Sequence, residues 1–330
     1  MLDGYGYLGG RYLISLDGTG YFSSTADGIR CPECLTQKDR SGAVTHRHKL
    51  LGAALVHPDR REVIPLAPEP IANGDGAAKN DCERNAARRW LRGFRQDHPR
   101  LPVIVVEDDL AANAPHVRVL RAARASFIIT VLPSSHTFPF AVIAAAEAAG
   151  RGSVWTTVDP GTGVVRHYRW QHGLGLNESN PDVTAEVLEY WEIPPSGPVR
   201  VFGWITDYAL TAETVYDVMR GGRARWKIEN ETFNTLKNQG YQLEHNYGHG
   251  KKHLSTVLAL LMVLGFAVDP CQQLGCPMFR AARVRSGCLR VLWEQIRVWF
   301  KLFRVGSMVE LLQGIAARVV LRPRVPADSS

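Results

Sequence analysis

Residues 101–109 read LPVIVVEDD, a continuous apolar run that stops at three consecutive acids. An unbroken apolar stretch of this length bounded by polar residues is the pattern of a buried strand. SFIITVL at 126–132 is a second such strand, and residues 115–125 between them read as a helix. Upstream, Cys82, Ala86, Trp90 and Phe94 recur every four residues within 78–97, which predicts an amphipathic helix with Arg and Lys outward. Before it, YLISLDGTGYF at 12–22, residues 48–57 and residues 62–66 are strand-like, and the proline-rich APEP at 67–70 closes the series. An alanine-rich helical stretch follows at 141–149. The order strand, strand, strand, helix, strand, helix, strand predicts an α/β fold built on a mixed sheet with flanking helices.

Two places along this order carry unusual acids. Glu107, Asp108 and Asp109 crowd like charges just past a buried strand, which costs energy unless cations balance them; a solvated loop is the other reading. Asp17 falls at an Asp-Gly pair where the first strand ends or bends, and DGTG is equally a plain turn signal.

The composition changes after Gly150. Residues 154–158 and 164–170 flank DPGTG, a hairpin signal, and further strand-like runs at 184–192 and 198–206 predict a β-rich insertion over 151–207. Its Trp155, Trp170, Trp191 and Trp204 serve core packing or base stacking. Thr211 opens a helix that runs to Asn238, interrupted only at Gly221-Gly222, and Gly240 ends it. The chain thus divides into 1–150 as the first part of a core, 151–207 as the insertion, 208–268 as the helix and end of the core, and 269–330 as a helical segment. In that last segment CLRVLWEQIRVWFKLFR at 288–304 interleaves apolar and basic residues, for core packing with a basic edge or for a membrane surface.

The long helix carries RWKIENETFNTLKNQG at 225–240, with Arg225 and Glu229 four apart and Lys237 further on. Such a pair is either a surface ion pair worth about 0.3–0.5 kcal/mol or a carboxylate and cation facing a polyanion and its metal. Lys+Arg exceed Asp+Glu by 39 to 32, giving +7 and a pI near 9.2, which favours a phosphate-bearing partner. YQLEHNYGHGKKHLS follows the helix; Gly248 and Gly250 argue against His245, His249 and His253 sharing a helix face, so the segment reads as a basic loop touching phosphate. Cys31 and Cys34 form CPEC with His46 and His48 downstream, a spacing zinc permits. Six cysteines are too sparse for a disulfide scaffold, and MLDGYGYLGG lacks the charged and apolar regions of a signal peptide, so a cytoplasmic location is expected. Val257–Val268, about a dozen apolar residues, falls short of a bilayer and reads as a buried helix, with no membrane partner.

Taken in order, DGTGYFSS, VHPDRREVIPLAPEPI, KNDCERNAARRWL, VIVVEDDLAAN and RWKIENETFNTLKNQGYQLEHNYGHGKKH resemble the DDE-type transposases of bacterial insertion sequences, in the group with a Tyr-Arg-Glu-Lys helix signature. The resemblance spans most of the chain. It implies a ribonuclease-H-like fold with Asp17, Asp108 and Glu229 as catalytic and metal-binding acids, Asp109 being the alternative to Asp108 as the second acid. It also implies Mg²⁺ (or Mn²⁺), two ions in all, and DNA cleavage and strand transfer on transposon ends and target, with a homodimer on DNA as a further expectation. Arg225, Lys237, His249, Lys251 and Lys252 would contact DNA. The chain departs from the family at Gly222 in the Tyr slot, at Leu236 in the Lys slot with Lys237 one later, and at Ala111 in an aromatic slot after Asp108. Only 16 residues precede Asp17 where the family carries a substantial region, so most of that region is expected to be lacking. A DNA-binding relic without activity, or a nuclease without strand transfer, are the rival expectations.

Overall fold

One mixed sheet organises the chain in the computed structural model, which describes residues 2–26, 31–73, 80–177, 179–250 and 252–317. Its strands are β1 (Gly6–Tyr7), β2 (Arg11–Ser24), β3 (Leu35–Lys38), β4 (Val44–Val56), β5 (Ile64–Ile71), β6 (Val103–Glu107), β7 (Ser126–Thr130), β8 (Ser153–Val158), β9 (Val165–Gly175), β10 (Thr184–Ile193) and β11 (Arg200–Thr206). They lie in the order β3-β4-β2-β6-β7-β11-β10-β9-β8, with β1 on β2 and β5 on β4. β2, β6 and β7 run parallel to one another; β2 pairs antiparallel with β4, and β7 with β11.

Alternation along the strands separates two apolar layers. Ile14, Leu16, Val103, Val105 and Phe127 pack with Trp90 and Leu91 of α1 (Glu83–Asp97), with Val117 and Leu120 of α2 (Ala114–Ala122), and with Phe140 and Ile143 of α3 (Thr137–Ala148). On the opposite face Leu13, Ile104, Val106 and Ile128 pack with Val218 of α4 (Val215–Arg223) and with Ile228, Phe233 and Leu236 of the helical run that continues it. That run passes through a 3₁₀ turn (Ala224–Trp226) and a π-helical turn (Ile228–Phe233) into α5 (Asn234–Asn238). Each aliphatic or aromatic side chain so buried contributes roughly 1.5–3 kcal/mol.

α6 (Leu254–Gly275) lays Ala259, Val263 and Phe266 on the second layer. α7 (Pro277–Ser286), α8 (Leu289–Leu302) and α9 (Met308–Ala317) gather round Phe279, Leu292, Ile296 and Leu311 in a cluster of their own. A hydrogen bond from Trp293 Nε1 to Asp269 Oδ2 at 3.2 Å ties this cluster to α6.

Several expectations change. DGTG is no turn: β2 runs straight through Asp17, because Gly18 and Gly20 keep the ladder to β4, with a register shift only between Gly20 and Phe22. APEP does not end the strand series but lies inside β5, an outer strand where proline is tolerated. Gly221-Gly222 does not interrupt α4; the helix changes form at Ala224 and Ile228 instead. The strands at 151–207 continue the main sheet through the β7–β11 pairing. α6 is longer than the dozen residues read from the sequence, and among the described residues it is the one helix long and apolar enough, by length and composition, to cross a bilayer. It is buried on one side only, with Val257, Leu261, Leu264 and Val268 exposed.

Candidate functional site: acids gathered on one face of the central strands

Asp17 sits in mid-strand, on the same face as Leu13 and Ser15, and the helical run that bears Glu229 covers that face. Two observations fix the helix there. Ser15 Oγ donates to the carbonyl of Arg225 at 3.2 Å, fully buried. Asp17 pairs across the ladder with Gly52, and a Cβ on Gly52 would lie 2.4 Å from the Phe233 ring. The bare backbone at Gly52 is therefore the seat on which the Glu-bearing turn rests.

The π turn explains which residues face the sheet. Its hydrogen bonds span five residues, as in Asn234 N–H to the Glu229 carbonyl, so Ile228 and Phe233 come side by side over Gly52. Glu229, one residue on from Ile228, is carried toward Asp17. Arg225 bridges them: its Nη1 lies 3.1 Å from Asp17 Oδ2 and 2.9 Å from Glu229 Oε1. Only 7% of Arg225 is exposed, so this is no surface ion pair.

Asp108 arrives on the parallel neighbour. The β2–β6 register pairs Ser15 with Val106, and two residues further along each strand stand Asp17 and Asp108. Asp108 caps the following 3₁₀ turn by accepting from Leu110 N–H at 3.1 Å. Asp109 turns away, accepting from Ser135 Oγ at 3.3 Å. Glu107 is buried beneath and bonded at 2.6 Å to His116 Nε2. Of the three consecutive acids, Asp108 is thus the one that faces the group.

The acids perturb one another's titration. Burial pushes the Asp17 carboxyl up to about 7; Arg225 opposes the rise, and the charges of Asp108 and Glu229 add to it. Burial also raises Asp108, again opposed by Arg225, with Asp109 and Glu83 contributing. Glu83 had no assigned role in the sequence, although it stands in the KNDCERNAARRWL block. From the first turn of α1 its carboxyl covers Gly18, where a Cβ would come within 2.2 Å of it. Lys49 Nζ lies 3.6 Å from Glu83. Asp17 and Glu229 thus share Arg225 on one face of the sheet, with Asp108 at the strand end beside them, while Glu83 and Lys49 pair on the opposite, α1-bearing face and Glu83 reaches Asp108 alone through its charge.

The expected DNA-contacting residues are dispersed. Arg225 is consumed by the two acids. Lys237 Nζ pairs with Glu244 at 2.9 Å, beside a groove of about 600 Å³ lined by Arg47, Lys49, Gly20, Ser23, Glu244 and Asn246. Lys252 is exposed, and Lys251 lies outside the described residues. His249 is not with the acids: its Nδ1 stands 3.0 Å from His48 Nε2, and its ring packs edge-on to Phe22 at 4.4 Å. Of the predicted zinc set, Cys31, Cys34 and His48 come together, whereas His46 lies apart with its Nδ1 3.5 Å from Thr36 Oγ1. Trp170 and Trp204 are buried, and the Trp204 indole fills the space beside Gly222, the position where a tyrosine was expected.

No family model matches this sequence, and no curated protein matches it.

Proposed function

We propose that this protein is a metal-dependent DNA strand-cleaving and strand-joining enzyme, a transposase with Asp17, Asp108 and Glu229 as its acids and with a ribonuclease-H-like core. The observation that carries the reading is the approach of carboxylates from β2, the end of β6 and a later helix to one buried guanidinium. The core order β5-β4-β2-β6-β7, three antiparallel strands followed by two parallel ones, supports the same fold reading.

The residues fit Mg²⁺ or Mn²⁺. The donors are all carboxylate oxygens, which those ions prefer, and the group is short of positive charge. Asp17, Asp108 and Glu229 would hold the ions. Two such ions supply an activated oxygen nucleophile and charge relief for the leaving oxygen in phosphodiester chemistry. The chain's own contributions are separable. The ladder and Gly52 fix Asp17 and Glu229 relative to each other, the Asp108 cap fixes the third carboxylate, and Arg225 holds two of the acids in register. Arg47 and Lys49 offer cations to a phosphate backbone along the neighbouring groove.

Nicking of supercoiled plasmid with Mg²⁺ or Mn²⁺, and joining of oligonucleotide duplexes taken from the DNA flanking the gene, test the proposal. Asp17→Asn, Asp108→Asn and Glu229→Gln should each lower nicking by 100-fold or more while DNA binding and the folded far-UV spectrum persist. Nicking without joining would reduce the protein to a nuclease. Binding without metal-dependent nicking in the wild type would reduce it to a relic.

A further inference from the structure

The Cys31–Cys34 turn, β4 and the loop after α5 meet at a point the acid site does not use. Cys31 Sγ and Cys34 Sγ lie 3.5 Å apart. His48 Nε2 is 3.2 Å from the first and 3.3 Å from the second, and 3.0 Å from His249 Nδ1. All four donor atoms fall within 4.8 Å of one another. Cys31, Cys34 and His48 are buried, and His249 is half-buried.

We propose that Cys31, Cys34, His48 and His249 form a structural zinc site of the Cys₂His₂ type. Zn–S bonds of about 2.3 Å and Zn–N bonds of about 2.0–2.1 Å place tetrahedral donors about 3.8 Å (S to S), 3.6 Å (S to N) and 3.3 Å (N to N) apart. The S–S, S–His48 and His48–His249 edges are each a few tenths of an ångström shorter and His249 stands within 4.8 Å of both sulfurs, so a small adjustment of the side chains admits the ion. The donors are two sulfurs and two imidazoles, which suit zinc and do not suit Mg²⁺. Outer contacts orient them. Cys31 N–H points at Cys34 Sγ at 3.4 Å, and Tyr21 Oη stands 3.5 Å from His48 Nδ1, leaving Nε2 for the ion.

The site would add to the Phe22 packing of His249 a bond of fixed geometry. His249 belongs to the segment between α5 and α6, whose described residues form no helix or strand, and Gly248 and Gly250 both take positive φ there. Bonding it to β4 and to the Cys turn closes a loop of about 200 residues between His48 and His249, and pins the segment that leaves the Glu229 helix. The site stands whether or not the acid group cleaves DNA.

The test is metal content and ligand identity. The purified full-length protein should carry one zinc per chain by plasma emission, released in step with thiol titration by a mercurial and read with a metallochromic dye. Cobalt replacement should give the intense d–d bands of a tetrahedral ion and a thiolate-to-cobalt charge-transfer band. Cys34→Ser should abolish that band. His249→Ala should weaken zinc by at least about 100-fold, and His46→Ala should leave both affinity and spectrum unchanged. The wild-type measurements do not depend on any variant folding. Absence of zinc from protein prepared without chelator, a Cys31–Cys34 disulfide in its place, or an unaltered cobalt spectrum in His249→Ala would overturn the assignment.

Discussion

Asp17 is the residue on which the chemistry and the stability of the site collide. Its folded pKa is raised to about 7, mainly by burial, against about 3.9 in an unfolded chain. Between those values the folded protein binds the extra proton, so stability should fall as pH climbs from about 4 to about 7 and level off above. Asp17→Asn should remove that slope. In chelator at pH 7.5 it should be the more stable protein, by on the order of 1–3 kcal/mol after allowance for Arg225, and the gap should close near pH 4; a variant less stable than wild type at both pH values would refute this. For the same reason Mn²⁺ should bind more tightly as pH rises through 7, since the ion needs the carboxylate ionised. Asp17, Asp108 and Glu229 stand in the blocks that carry the resemblance, and the structure brings Asp17 and Glu229 onto one guanidinium. Glu83, whose charge reaches Asp108, is given no role by the resemblance, and its approach to β2 depends on the missing side chain of Gly18, which a linear reading has no means to see.

At the scale of elements, the deciding contact is the π turn on Gly52. The sequence shows a helix through 211–238 and places its glycines as a break, yet Gly221 and Gly222 lie within α4 because Trp204 and Tyr7 occupy the volume their side chains would take. The widened turn further on has no signature of its own in RWKIENETF. It follows from tertiary packing, because Ile228 and Phe233 must reach one small backbone site together. Gly52→Ala would press a methyl group into the Phe233 ring, and should cost about 1–3 kcal/mol by thermal or denaturant unfolding. Phe233→Leu in the same chain should recover part of that loss. If Gly52→Ala proves neutral alone, the turn is not seated as described. The strands were legible for another reason: their unbroken or alternating apolar runs reflect burial directly, so 103–107 and 126–130 fell where expected. DGTG was misjudged because turn residues tolerate extended backbone when a ladder on each side supplies hydrogen bonds.

For the molecule as a whole, net charge and its placement bear on DNA binding. A chain of +7 with Arg47 and Lys49 lining one groove and with Lys252 exposed should bind duplex DNA with a steep salt dependence, about 0.9 in log K per log salt for each phosphate neutralised. Arg47→Ala and Lys252→Ala should each lower the slope by about one, measured by fluorescence anisotropy across a salt series; slopes equal to wild type would remove these residues from the interface. The sequence discloses the basic balance but not this distribution, since Arg47 and Lys49 lie on β4, far along the chain from Glu244 and Asn246, which share the groove with them.

The direct pairing of β11 with β7 makes residues 151–207 a continuation of the central sheet. A shortened version lacking them would strip Ile128, Ile129 and Thr130 of their hydrogen-bonding neighbour and lay bare a flat, apolar margin, the kind of edge that recruits other chains into aggregates. Amide protons of β7 should accordingly exchange as slowly as those of β6, and any attempt to graft the acid group onto a smaller scaffold must first find something else to close that flank.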